Sequence, residues 1–96
     1  MFQGDAEVMA NYWLEHNGVR DLKAEGWRWT FEKANKHNRG MCYPSEKRLN
    51  LNPHFFWHND DDEVKDTILH EIAHALVGWN RQEKWHGASW RRMAAR

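Results

Sequence analysis

The sequence predicts an α+β domain: a small three-stranded antiparallel sheet, a long amphipathic helix packed on it, and flanking helices. Three observations carry that prediction. Residues 64–77 repeat apolar side chains at helical spacing. Trp27 to Glu32 alternates large aromatic with polar side chains, the period of a half-buried strand. The apolar segments between residues 27 and 51 are separated by short polar connections, which suits a meander. Ninety-six residues allow a single domain spanning 1–96. So short a chain buries a modest share of its surface, and small domains often add a disulfide or a metal. Cys42 is the only cysteine, which excludes an intrachain disulfide and a Cys-rich zinc site and fits a reducing compartment. Fourteen basic and fourteen acidic residues cancel, so no global charge recruits nucleic acid or membrane. No apolar run approaches the roughly 18 residues of a membrane span. The first residues lack the pattern of a signal peptide. The expectation is an intracellular, cytoplasmic chain.

The elements follow in order. Asp5 to Asn17 reads as an amphipathic helix with Val8, Met9, Tyr12, Trp13 and His16 on one stripe, Asp5 as its cap and Gly18 at its end. A polar link from Val19 to Gly26 leads to the first strand, Trp27 to Glu32, whose Trp27, Trp29 and Phe31 face the core. Asn35 to Gly40 carries turn residues. Met41 to Tyr43 makes a second strand, Pro44 to Glu46 a turn, and Lys47 to Leu51 a third strand with Leu49 and Leu51 on one face. Pro53 ends that strand, and His54 to Asn59 has no assignment. Asp60 to Glu63 then places four carboxylates at the start of a helix, where the dipole favours them. Its stripe is Val64, Ile68, Leu69, Ile72, Ala73, Leu76 and Val77, and Gly78 and Asn80 can end it. A last short helix, Ala88 to Ala94, turns Trp90 and Met93 inward.

Chemistry is concentrated in His70-Glu71-Ile72-Ala73-His74. Residues four apart on a helix project from one face, so two imidazoles there can reach one zinc ion at about 2.0–2.1 Å each. Glu71 is too far around the helix to be a comfortable third ligand. It can instead lie beside the metal and accept a proton from a water, the arrangement required for metal-assisted amide hydrolysis. A His-Glu-x-x-His string arises by chance in roughly 4% of shufflings of this composition; its position in mid-helix separates it from that background. A catalytic zinc takes three protein ligands and keeps one open position. Val77 and Asn80 stand where the metzincin extension needs Gly and His, which removes that subclass. His86 is the favoured third ligand because Gly87 beside it permits close approach, and Glu83 is its rival. Asp66, one turn before His70, is either a carboxylate partner of that imidazole or a solvated acid.

These motifs in combination resemble the SprT-like (Spartan-type) metalloprotease domain: Asp66 through Ala75, His86-Gly87 and Trp90, with Trp27 to Phe31, Gly40-Met41-Cys42 and Leu49-Asn50-Leu51 before them. The resemblance covers about residues 8–93. It implies a zinc-dependent endopeptidase with His70, His74 and His86 as ligands and Glu71 as catalytic acid/base. It also implies protein substrates associated with DNA, including DNA–protein crosslinks, and hence a nucleoid-associated setting. Trp85 is bulkier than that pattern and suggests an altered wall of the site. Two local basic excesses, residues 20–48 and 79–96, are candidates for weak single-stranded DNA binding, with Arg91, Arg92 and Arg96 on an exposed helix face. Tyr43 and Tyr12 are nominees for stabilising the oxyanion. The rival reading is a DNA-associated binding module with structural zinc and no catalysis; a third is hydrolysis of a non-peptide substrate.

Overall fold

The computed structural model describes residues 1–35 and 37–77. Among them, α1 (Gln3–Glu15), β1 (Arg28–Thr30), β2 (Gly40–Tyr43), β3 (Arg48–Leu51), α2 (Pro53–Phe56) and α3 (Asp61–Val77) follow in order, with one 3-10 turn over Pro44–Glu46. The α+β class is as predicted. The expected final helix, Ala88 to Ala94, and the proposed stop of α3 at Gly78 and Asn80 lie outside the described residues.

The sheet departs from the antiparallel meander. Its order is β1-β3-β2: β3 pairs antiparallel with β2, with Cys42 opposite Leu49, and parallel with β1, with Trp29 opposite Leu49. The segment after β1 therefore crosses the end of β3 before entering β2. That crossing is held by side chains. The Oδ1 of Asn50 accepts from the Glu32 amide at 2.8 Å while its Nδ2 donates to the Glu32 carbonyl at 3.0 Å. A side-chain amide thus continues the pairing where the backbone ladder stops, and β1 is shorter than its alternating pattern suggests. Lys47, at φ 50°, adopts the left-handed conformation that reverses the chain into β3.

The first helix buries a different face from the one that side-chain size suggests. α1 starts two residues before Asp5, with Phe2 at its cap position, and buries Ala6, Ala10 and Leu14. Val8 and Tyr12 are exposed, while Met9 and Trp13 lie at the edge of the core. Small side chains let α1 approach α3 closely. The α3 helix is capped by Asp60, whose Oδ1 accepts from the Glu63 amide at 3.0 Å. Its inner face is Val64, Thr67, Ile68, Glu71, Ile72 and Ala75. With Trp27, Trp29, Leu49 and Leu51 from the strand region, and Leu22, Phe55 and Phe56, these apolar residues close one core. The unassigned stretch after Pro53 begins with α2, whose N-terminus is capped by Asn52 Oδ1 accepting from His54 N at 3.1 Å. Pro53 occupies the first turn of that helix, where its missing N–H has no partner to lose.

Candidate metal centre

The site grows from the way α3 lies on β2. One inner-face position of the helix is a carboxylate: Glu71 is only 6% exposed, between Ile68 and Ile72 in the buried stripe. It fits because the strand opposite begins with glycine. A Cβ on Gly40 would stand 3.2 Å from Glu71 Cγ and 2.9 Å from the Asn50 carbonyl oxygen, so any side chain there would press on both. Burial holds the Glu71 carboxyl up at about 7, because the ionised form loses hydration that its surroundings replace only in part.

His70 and His74 leave the same helix on the adjacent flank. Their Nε2 atoms lie 3.0 Å apart, with the ring planes at 83°. Nitrogens each about 2.0–2.1 Å from one tetrahedral zinc stand about 3.3 Å apart, so the pair needs a few tenths of an ångström of opening to take the ion. Glu71 Oε1 is 3.9 Å from His70 Nε2. Donor atoms of His70, Glu71 and His74 all lie within 4.8 Å of one another, the one such cluster among the described residues. The donor set fits a divalent metal.

An open cavity of about 620 Å³ lies against this cluster, lined by Asp66, Thr67, His70 and Glu71 from α3 and by residues 35 and 37–40. Asp66 is exposed on its lining. His86 and Glu83, the two candidates for a third ligand, lie outside the described residues, as do Trp85, Arg91, Arg92 and Arg96. Neither Tyr12 nor Tyr43 is among the residues lining the cavity: Tyr12 packs on Trp13 and His16, and Tyr43 lies under the Arg48 guanidinium at 4.0 Å. Cys42 behaves as a core residue, its thiol pushed up to about 12 by burial and by the nearby Glu71 charge. Several cations of the 20–48 excess are engaged internally. Arg20 pairs with Glu25 at 2.6 Å, Lys47 donates to the Glu25 carbonyl, and Arg48 contacts Glu46 and Glu32.

Sequence reasoning missed Asn35, His37, Asn38, Arg39 and Gly40 as lining residues. The turn chemistry of Asn35 to Gly40 signals a connection, and no spacing within it marks a wall facing α3.

A short mixed sheet carrying a His-x-x-x-His helix, with a buried glutamate beside the histidines, makes a small α+β domain with one candidate metal centre among its described residues. The SprT-like family profile matches residues 7–96, and the chain belongs to the SprT-like family. No curated protein and no solved structure gives a significant match. Membership places the chain among metallopeptidase-type domains. No described helix is long and apolar enough to cross a membrane.

Proposed function

We propose that this chain is a zinc-dependent endopeptidase acting on protein substrates, proteins bound or crosslinked to DNA among them. The observation that supports it is the pairing of two converging imidazoles with a buried, proton-holding carboxylate beside an open cavity. His70 and His74 would hold the metal from α3, with His86 as the third ligand. A zinc ion so held would supply Lewis acidity to a scissile carbonyl and would acidify water. Glu71 takes the proton of the attacking water on a carboxylate oxygen and returns it to the departing amide nitrogen. Burial raises the carboxyl's affinity for protons and the charge of a bound zinc would lower it again, so the two oppose each other at the group that must both take and give a proton. Close packing of Glu71 Cγ against the backbone at Gly40 limits where the carboxylate can go beside the histidines. A purely structural metal has no use for such a group, which argues against the binding-module reading.

The test combines metal analysis of the purified chain with cleavage of an unfolded casein-type protein, with and without single-stranded DNA. One zinc per chain and zinc-dependent cleavage, stimulated by DNA, are expected. Zinc without cleavage under either condition would favour the binding module.

A further inference from the structure

We propose that Asn52 is a positioning residue that shapes the substrate-facing wall of the cavity by holding residues 34, 35, 38 and 39 in place. The proposal rests on the peptidase reading for what the wall contacts, and on the geometry alone for what holds it.

The wall is an irregular segment, which has no ladder of its own to fix it. Asn52 lies beneath it, fully buried at the end of β3. Its Nδ2 donates toward the carbonyls of Asn38 at 2.6 Å, Asn35 at 3.0 Å and Ala34 at 3.4 Å. Its Oδ1 accepts from the Ala34 amide at 3.3 Å and, on the other side, from the first turn of α2 at His54. Its own backbone N–H donates to the Arg39 carbonyl at 3.0 Å. One residue thus gathers backbone groups from both ends of the wall and anchors them to the end of the sheet and to α2. Immediately after Arg39 comes Gly40, against Glu71. Gly40 itself is held by its pairing with Leu51 in the sheet, and Asn52 is absent from the residues lining the cavity.

Only an amide does this. Three carbonyl oxygens face Nδ2, so a carboxylate in its place sets an acceptor against acceptors and buries a charge, while an apolar group leaves those carbonyls without their donor. Either change releases the wall without touching His70, His74 or Glu71. A substrate gripped by that wall is then bound more weakly, while the chemistry on bound substrate is intact.

The experiment compares the wild-type chain with Asn52→Asp and Asn52→Ala. Amide hydrogen exchange of residues 34, 35, 38 and 39 should quicken at least tenfold in both variants, with α3 amides and zinc affinity unchanged within about twofold. KM for an unfolded casein-type protein should rise several-fold at near-constant kcat. Unchanged exchange at those residues, or a fall in kcat and zinc affinity at constant KM, would overturn the proposal. Should both variants fail to fold, the exposed pair His37→Ala and Arg39→Ala carries the test: a raised KM supports the wall, and an unchanged KM refutes it. If the wild type cleaves nothing, the peptidase reading fails, and the exchange measurement still decides whether Asn52 holds the segment.

Discussion

Replacing Glu71 by Gln should make the metal-free fold more stable while ending catalysis, and the size of the gain follows from where the carboxylate lies. Burial raises the Glu71 carboxyl from an ordinary 4.5 to about 7. Below the lower value the group is protonated whether the chain is folded or not, and it has no influence on the equilibrium. Between the two values the unfolded chain releases the proton and the folded chain keeps it, so stability falls as pH rises; above about 7 the loss is complete. At about 1.36 kcal/mol per tenfold change in proton affinity, the full loss is about 3 kcal/mol. Roughly 0.8 kcal/mol of it is already present at pH 5. Gln keeps the shape and carries no such dependence. The advantage of Glu71→Gln over wild type should therefore grow by about 2.5 kcal/mol between pH 5 and pH 8. In a domain of this size that is roughly 10–20 °C in Tm. Thermal unfolding of both chains in chelator at the two pH values measures it directly. The charge of a bound zinc ion favours the ionised carboxylate, so adding zinc should shrink the gap. An advantage that is constant across pH, or that reverses, would refute a buried carboxylate with raised proton affinity. Cleavage by Glu71→Gln at near wild-type rate would separately refute its role as proton shuttle.

Chelation should lower the melting temperature of the wild type, because the metal binds only the folded state; His86→Ala should weaken zinc binding sharply, and full zinc retention there with loss in Glu83→Gln would move the third-ligand role to Glu83. Gly40→Ala introduces a Cβ 2.9 Å from the Asn50 carbonyl oxygen and 3.2 Å from Glu71 Cγ, so urea unfolding should show a loss of about 1–3 kcal/mol, and an unchanged midpoint would mean that β2 yields freely. With its thiol pushed up to about 12, Cys42 should react with iodoacetamide at pH 8 far more slowly in the folded chain than in urea; equal rates would contradict that environment. Changing Arg91, Arg92 and Arg96 together to Gln should flatten the salt dependence of single-stranded DNA binding by a slope of about 2, and a wild-type chain that binds no DNA at low salt would remove the DNA part of the proposal.

The parts of this molecule legible from sequence are those in which one local pattern decides the outcome. The α3 stripe, its acidic start and the His70–His74 spacing are all set by helical repeat, and the structure places the two imidazoles together as that repeat requires. Trp29, Leu49 and Leu51 face the core at the strand positions where the alternating pattern puts large apolar side chains. What was not legible depends on partners far along the chain. The alternation of β1 cannot say whether its neighbour runs with it or against it, and the parallel pairing with β3 arises from a crossing that Asn50 and Asn52 hold with side-chain amides. Asparagine in a sequence reads as a turn former, and here its turn chemistry is turned inward on a distant segment. The misjudged face of α1 has the same origin. Val8 and Tyr12 offer more apolar area than Ala6 and Ala10, yet the alanines are buried, because close approach of a second helix rewards small side chains and leaves large ones no room. The wall of the cavity was missed for the combined reason. Its residues carry no pattern of their own, and their place opposite Glu71 is set by Asn52 below them and by the absent side chain of Gly40 at their end.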